Sequence, residues 1–115
     1  MSADIITRMF EVIDSRDWER LGAHFAADAI YHRPGYDPIR GLNELDHFYR
    51  HVRIIAEGKH AIDHIVLSND IAACSGSFHG STRDGRPLQE RFADVYQLER
   101  GLIRVRTTYF YRAAI

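Results

Sequence analysis

The stretch Arg91-Phe92-Ala93-Asp94-Val95-Tyr96-Gln97-Leu98 alternates polar and apolar residues and therefore predicts a β-strand. Alternate side chains of a strand point to opposite faces, so Asp94 shares one face with Phe92 and Tyr96. We expect that face to be buried. A buried carboxylate finds a partner, takes up a proton or takes part in chemistry. Two interpretations stay open: a structural acid paired with an arginine of the next strand, and a catalytic acid or base.

Upstream of this strand the apolar residues recur with helical spacing. They predict an amphipathic helix over residues 5–13, a short second helix containing Trp18, Leu21 and Phe25, and a third helix that starts near Gly41. A brief extended piece over 29–32 and a Pro-Gly loop separate the second helix from the third. On the third helix the predicted buried stripe is Leu45, Phe48, Val52 and Ile55, and the predicted exposed residues include Asp46, Arg50, Arg53 and Glu57.

From Lys59 onward the pattern is extended, with predicted strands over 61–67, 71–80, 88–98 and 102–112. The intervening turns are short, and Asp84-Gly85 favours a tight hairpin, so the strands form an antiparallel meander. The predicted fold class is α+β. A conical, curved antiparallel sheet wraps around about three N-terminal helices and encloses an apolar pocket.

Length and composition indicate one domain over residues 1–115, with 45% hydrophobic content and a single core. Fifteen basic and sixteen acidic residues give a net charge of −1, so neither nucleic acid nor a membrane is expected as a partner. Met1–Asp4 carries an acid where a targeting segment is basic, and we expect a soluble, cytoplasmic protein. The single cysteine, Cys74, is expected to be a small buried apolar residue.

Two groups of residues together resemble a known family. The first group is Asp17-Trp18, His24-Phe25-Ala26, Asp28-Ala29 and Arg40-Gly41. The second is Gly85, Phe92-Ala93-Asp94-Val95, and Gly101-Leu102-Ile103 through Tyr109-Phe110. They resemble the nuclear-transport-factor-2-like superfamily, which includes ketosteroid isomerase, scytalone dehydratase, limonene epoxide hydrolase and SnoaL-like polyketide cyclases. The resemblance covers nearly the whole chain and implies a conical fold. It leaves the function open, because members use the pocket for different reactions.

Of three functional positions of ketosteroid isomerase, one holds the matching residue in this sequence and two do not. Asp94 corresponds to the aspartic acid of that enzyme's oxyanion hole, which a raised pKa keeps protonated. The general-base position holds Arg33, and the tyrosine donor of the first helix corresponds to Met9. Neither replacement can do the original chemistry. Asp94 and Arg106 could supply two parts of the Asp-Arg-Asp set of limonene epoxide hydrolase, but Tyr111 stands where the second Asp is expected, so epoxide hydrolysis ranks lower.

The predicted function is that of a SnoaL-like small-molecule pocket protein. It is a possible isomerase, cyclase or dehydratase that acts without cofactor or metal on a hydrophobic hydroxylated or ketonic substrate. We expect Asp94 as acid or base, with His32 or His79 as its helper. The predicted ligand-binding residues are Tyr96, Arg106, Arg33, His79, Phe92, Thr108 and Phe110.

The alternative is a non-catalytic ligand-binding or dimerisation module. We expect a homodimer through the outer face of the last two strands, because a sheet with helices on one side only exposes an apolar strip on the other. A metal site is not expected. His47 and His51 are spaced as helix ligands but lie off the apolar stripe, and His60 and His64 are about 13 Å apart on a strand.

Overall fold

All helical elements lie before Arg53, with two strands between them, and only strands follow from Ile55 onward, as the change of hydrophobic period predicts. The computed structural model describes residues 4–112, so Met1–Ala3 and the expectation based on them lie outside the described range. The helical elements are α1 (Asp4–Asp14), a 3-10 helix (Trp18–Ala23), α2 (Gly41–His47) and a π-helical turn (Phe48–Val52). The strands are β1 (Phe25–His32), β2 (Ile39–Arg40), β3 (Ile55–Ser68), β4 (Ile71–Thr82), β5 (Pro87–Glu99) and β6 (Leu102–Phe110).

The six strands form one curved sheet in the order β2-β1-β6-β5-β4-β3. The last four strands are the predicted antiparallel meander, and its β4–β5 hairpin turns at Asp84-Gly85. β1 pairs in parallel with β6, so the sheet is mixed, which the prediction of a purely antiparallel sheet did not include. The α+β cone is confirmed. The helices cover the concave face of the sheet, and the core lies between the two layers.

Two predicted element boundaries are wrong for the same reason. Phe25 opens β1 instead of closing the second helix, and Ile55 opens β3 instead of closing the third. β3 therefore begins six residues before the predicted start at Ala61. Both residues are apolar at helical spacing from the preceding helix, so periodicity alone assigned them to it, whereas pairing with a neighbouring strand places them in the sheet.

The third helix buries Leu45 and Phe48 as predicted, but beyond Phe48 its buried face differs from the prediction. After His47 the backbone widens into the π-helical turn, which shifts the facing of the residues that follow. Tyr49 (1% exposed) and Arg53 (5%) are buried, whereas Val52 is 40% exposed. The prediction that Arg53 lies outside and Val52 inside is therefore wrong. This shift places a guanidinium inside the cone.

The inner face of β5 matches the prediction, since Phe92, Asp94 and Tyr96 are all buried. On β6 a register shift opposite Gln97 and Leu98 brings Ile103 into the core, although simple alternation assigns it to the outer face. Because the shift lies before Arg106, that side chain still points inward. The bulge therefore adds a core residue without removing Arg106 from the interior.

β3 and β4 approach closely at two glycines of β4. A Cβ on Gly76 would lie 2.2 Å from the carbonyl oxygen of Ala61, and one on Gly80 would lie 2.2 Å from that of Glu57. β3 has register shifts against β4 at 55/57 and 62/64. Glycine at these positions lets the two backbones approach more closely than a residue with a side chain would allow.

No helix within residues 4–112 combines the length and apolar character needed to cross a bilayer.

Candidate functional site: an arginine-lined cavity with an Asp-His pair

Asp94 is fully buried, and its hydrogen bonds come from three side chains of β5 and β6. Oδ2 accepts from the hydroxyl of Tyr96 at 2.6 Å and from Nε of Arg106 at 3.0 Å, and Oδ1 accepts from Oγ1 of Thr108 at 2.6 Å. Asp94 pairs with Thr108 across the two strands, and Tyr96 pairs with Arg106. The strand register therefore brings these four side chains together on one face.

Arg106 supplies the counter-charge of Asp94 from a side chain that is 4% exposed. Its guanidinium donates through Nη1 to the hydroxyl of Tyr49 at 3.0 Å and lies 4.5 Å from the ring centroid of Tyr31. Burial, the largest single effect, would lower the pKa of Arg106, but Asp94 together with the hydroxyls of Tyr31, Tyr49 and Tyr96 raises the pKa well above its ordinary value. The pair is thus a fixed, hydrogen-bonded ion pair inside the cone.

The network extends from Asp94 to the loop after β1. Tyr31 donates its hydroxyl hydrogen to Oγ1 of Thr108 at 2.9 Å, because that threonine already donates its own hydrogen to Asp94. Nη1 of Arg33 in turn donates to the Tyr31 oxygen at 3.1 Å. Burial would raise the pKa of Tyr31, but Arg106 and Arg33 together lower it. The hydrogen bonds therefore run in one direction, from Arg33 to Asp94.

A small cavity lies beside this network. Its volume of about 20 Å³ accommodates a single water molecule. The walls combine three arginines and a histidine with aromatic rings, and the lining residues are Arg33, Arg53, Ile55, His60, Phe78, Phe92, Arg106, Thr108 and Phe110. Asp94 is not among them, so its carboxylate lies one layer behind the cavity wall.

His60 is the cavity residue with acid-base chemistry in the neutral range. It lies on the inner face of β3, where its ring packs 4.4 Å from Phe10 and 4.7 Å from Phe78 between centroids. Nδ1 lies 2.5 Å from Oδ1 of Asp14, and the backbone N–H of His60 donates to Oδ2 of the same carboxylate at 2.9 Å. Asp14 therefore fixes the ring and leaves Nε2 as the nitrogen available to a ligand.

Burial lowers the pKa of His60, and the charges of Arg106 and Arg53 lower it further. The hydrogen bond and the negative charge of Asp14 act in the opposite direction but do not outweigh these effects. His60 is therefore neutral near pH 7. With its proton on Nδ1 and donated to Asp14, Nε2 carries a lone pair, which is the arrangement of a general base.

Asp14 reaches His60 because α1 ends against β3. Arg16 follows the helix in a left-handed conformation (φ 59°) and donates to the carbonyl of Ala56 at 2.5 Å. An acidic residue at a helix C-terminus opposes the helix dipole, so Asp14 is unfavourable there unless another group binds it. His60 is that group.

The structure brings five predicted site residues to the cavity wall and places four elsewhere. The cavity contains Arg33, Phe92, Arg106, Thr108 and Phe110. Asp94 and Tyr96 are buried behind it, and His32 and His79 are exposed on β1 and β4. His32 and His79 therefore do not share a wall with Asp94. Neither residue lines the cavity, and their catalytic and ligand-binding roles remain predictions.

Sequence reasoning missed His60, Asp14 and Arg53. The alternation that singled out Asp94 applies equally to β3, where His60 shares a face with Gly58 and Ile62. Asp14 at the end of α1 is a second signal, because basic residues are preferred there. The inward facing of Arg53 has no comparable signal, since it depends on the π-helical turn.

Within residues 4–112 no cluster of three or more His, Cys, Asp or Glu side chains has a geometry that could hold a metal ion. His47 and His51 are exposed neighbours, with ring centroids 5.2 Å apart. Cys74 is buried, 3.5 Å from the Tyr96 hydroxyl, and burial together with Asp94 raises its pKa to about 11. The prediction that Cys74 is a buried apolar residue is confirmed.

The conical sheet, the covering helices and the polar cavity define a nuclear-transport-factor-2-like domain. The sequence profile of the SnoaL-like domain matches residues 6–106, and the chain belongs to that family. No curated protein matches the chain.

Solved structures with the same fold cover nearly the whole chain. An NTF2-like protein of unknown function from Burkholderia pseudomallei K96243 is 24% identical over 96% of this chain and 92% of its own, with a TM-score of 0.86. IdmH, a candidate polyketide cyclase of Streptomyces antibioticus, is 21% identical over 95% and 91%, with a TM-score of 0.80. An LEH-like epoxide hydrolase of M. tuberculosis is 16% identical over 93% and 80%, also at 0.80. At these identities the likeness shows the fold alone.

Proposed function

We propose that the chain is an enzyme that moves a proton next to a carbonyl group, as an isomerase, cyclase or dehydratase does, with His60 as the base. The observation that carries this proposal is the Asp14-His60 pair at the cavity wall. It combines a neutral imidazole, a carboxylate that holds the ring, and a free Nε2 lone pair. The SnoaL-like family and its cyclase-like and epoxide-hydrolase-like structural neighbours are consistent with small-molecule chemistry in the cone.

The chemistry follows from the charges around the cavity. Nε2 of His60 takes a proton from the carbon next to a carbonyl, and the electron pair of the C–H bond moves to the carbonyl oxygen as an enolate. The positive charge of Arg106 stabilises that oxygen, since the guanidinium is already held in place by Asp94 and Tyr49. Returning the proton to another carbon gives isomerisation, and expelling a β-hydroxyl with that proton gives dehydration.

In this proposal Asp94 has a positioning role. Its oxygens accept three hydrogen bonds, and its side chain lies behind the cavity wall, so it fixes Arg106, Tyr96 and Thr108. The predicted role of Asp94 as acid or base is the competing assignment, and variants of His60 separate the two.

Hydrogen-deuterium exchange tests the proposal without knowledge of the natural substrate. The ketone 2-tetralone has acidic C–H bonds beside a neutral carbonyl, and exchange of these bonds in D₂O is followed by proton NMR. Wild-type protein should accelerate exchange. The variant His60→Asn keeps a hydrogen-bond donor for Asp14 but has no base, and it should lower the exchange rate about 10²–10⁴-fold. His64→Asn, an exposed histidine of the same strand, is the matched control and should leave exchange unchanged.

The pH profile provides a second readout. Exchange requires neutral His60, so its rate should fall on acidification through the lowered pKa of that residue. Asp14→Asn removes the interactions that raise this pKa, so the acid limb should move to lower pH while the plateau rate also drops. Full exchange by His60→Asn would remove His60 as the base and favour Asp94.

A non-catalytic ligand-binding module is the second candidate, and the replacement of two functional positions of ketosteroid isomerase by Arg33 and Met9 favours it. In either case the lining side chains must move before a molecule larger than water enters the cavity. Ligand-induced stabilisation without any exchange, across neutral and acidic carbonyl compounds, would support this candidate.

A further inference from the structure

Arg53 is a buried guanidinium without a carboxylate partner. Its side chain forms no ion pair and donates no hydrogen bond within residues 4–112, and its Nε is fully buried. The groups nearest to it are aromatic, with ring centroids of Tyr49 and Phe78 at 5.4 and 5.7 Å from Cζ. The backbone of Arg53 is held firmly, because its carbonyl accepts from Nε of Arg83 at 2.8 Å. The position of this charge is therefore built into the fold.

Arg106 shows what a paired guanidinium of the same cavity looks like. It has Asp94 at 3.0 Å as its counter-charge and Tyr49 as a further acceptor. At this cavity wall, the negative charge of Asp94 offsets the positive charge of Arg106. The neighbouring guanidiniums repel one another, and burial lowers the pKa of Arg53 to about 10. Arg53 nevertheless stays protonated at neutral pH.

The aromatic contacts do not compensate fully for this burial. A desolvated cation–π contact contributes about 2 kcal/mol, whereas removing an ion from water has an effective penalty of several kcal/mol. An apolar side chain would fill the same space without that penalty. Residues that break the rule of paired buried charges are expected at functional sites, where a ligand can supply the missing charge.

We propose that Arg53 binds the carboxylate of the ligand, which is an aromatic or conjugated carboxylic acid. This proposal rests on the same cavity as the proposed function and names the substrate class. A carboxylate supplies one negative charge and two oxygens, which match the two-pronged edge of a guanidinium. The rest of the ligand would contact the aromatic rings of Phe78, Phe92 and Phe110.

A carboxylate fits better than a phosphate group. A phosphate carries more charge and needs donors for three oxygens, whereas the side chains beside Arg53 are the rings of Tyr49 and Phe78. The remaining cationic groups are engaged: Arg106 with Asp94 and Tyr49, and Arg33 with Tyr31. Arg53 can therefore bind one carboxylate edge-on while the planar remainder lies between aromatic walls.

Binding of phenylpyruvate and of its methyl ester by isothermal titration calorimetry tests the proposal. The two compounds share the ring and the ketone, and only the acid carries the charge. Wild-type protein should bind the acid at least tenfold more tightly than the ester. Arg53→Met should lose this preference and bind the ester as the wild type does. Arg20→Met removes an exposed charge of the 3-10 helix and serves as the control, with no change in either affinity.

Thermal unfolding of the same variants supplies an independent readout. Arg53→Met removes a buried charge that has no partner, so its melting temperature should equal or exceed that of the wild type. Unchanged stability with lost acid binding is the expected result for a ligand-binding charge. Equal affinity for acid and ester in the wild type, or undiminished acid binding by Arg53→Met, would overturn the proposal. Inorganic phosphate that displaces phenylpyruvate at equal concentration would overturn the choice of a carboxylate.

The two proposals can fail separately. Acid binding that depends on Arg53 but survives in His60→Asn, without deuterium exchange in any variant, would support the carboxylate site and contradict the enzyme. Exchange of 2-tetralone that depends on His60, without preference for acid over ester, would support the enzyme and contradict the carboxylate site.

Discussion

Replacing Asp94 by asparagine removes the negative charge that faces Arg106 and leaves the shape of the side chain almost unchanged. In the folded protein Arg106 is then a fully buried cation without a counter-ion, since Asp94 is 0% and Arg106 4% exposed. The amide nitrogen also presents donors to hydroxyl groups that now donate to a carboxylate oxygen. Both effects act on the folded state, because water solvates the separate groups in the unfolded chain.

The expected loss is a large part of the stability of a small domain. Breaking a buried ion pair by removing one partner costs about 3–5 kcal/mol, against a total free energy of unfolding of about 5–15 kcal/mol. An unfolding entropy of about 2.1 cal/mol/K per residue gives about 0.24 kcal/mol/K for 115 residues. A loss of about 4 kcal/mol therefore lowers the melting temperature by about 17 °C.

Urea and thermal unfolding followed by circular dichroism measure this loss. Asp63→Asn is the matched control, because Asp63 forms an ion pair with Arg91 at 2.8 Å but on the exposed face of the sheet. It should change the free energy of unfolding by no more than about 1 kcal/mol. The double variant Asp94→Asn with Arg106→Met should be more stable than Asp94→Asn alone. An Asp94→Asn protein as stable as Asp63→Asn would refute the role assigned to the buried pair.

Three further predictions follow from burial and charge. Burial lowers the pKa of His60 below 6.5 in the folded protein, so on acidification the unfolded chain takes up this proton first. The free energy of unfolding should therefore decrease as the pH drops below about 6.5. In urea titrations at successive pH values, His60→Asn should show a smaller decrease. Cys74, with a pKa of about 11, should resist a thiol reagent at pH 8 until urea unfolds the protein, and rapid native labelling would contradict its burial. We also propose a homodimer through the outer face of the sheet, where Val95 (40%) and Tyr109 (57%) are exposed. Sedimentation should give a dimer for the wild type and a shift toward monomer for Tyr109→Glu. A monomeric wild type would contradict this proposal.

The sequence predicts the fold well wherever one local pattern determines the structure. The face of β5 that contains Asp94 follows from alternation alone, and the β4–β5 hairpin follows from Asp84-Gly85. The pairing of Asp94 with an arginine of the next strand was one of the two interpretations of that carboxylate, and the register of β5 with β6 brings Arg106 to it.

What local patterns could not predict depends on backbone irregularities and on distant contacts. The π-helical turn reverses the facing of Val52 and Arg53, and a helix with regular spacing would have kept the arginine outside. Asp14 and His60 are 46 residues apart, and they meet because α1 ends against β3. Hydrophobic periodicity contains no information about that approach.

These two contacts change the functional interpretation. The alternation of the strand sequence indicates Asp94 as the functional residue. In the structure Asp94 lies behind the cavity wall, and its oxygens accept three hydrogen bonds. The cavity-lining groups that are available to react with a ligand or to bind it are the imidazole of His60 and the guanidinium of Arg53. The proposed activity and ligand class follow from those groups and not from the residue with the clearest sequence signal.

His60 can act as the base only if its imidazole is neutral and Nε2 is unprotonated. Nitrogen-15 NMR of the imidazole, recorded from pH 5 to 8 on labelled wild-type protein, reports both the tautomer and the pKa. We expect a neutral ring at pH 7 with the proton on Nδ1, an unprotonated Nε2 and a pKa below 6.5. A ring that is doubly protonated at pH 7, or that carries its single proton on Nε2, would contradict the assignment of His60 as the base.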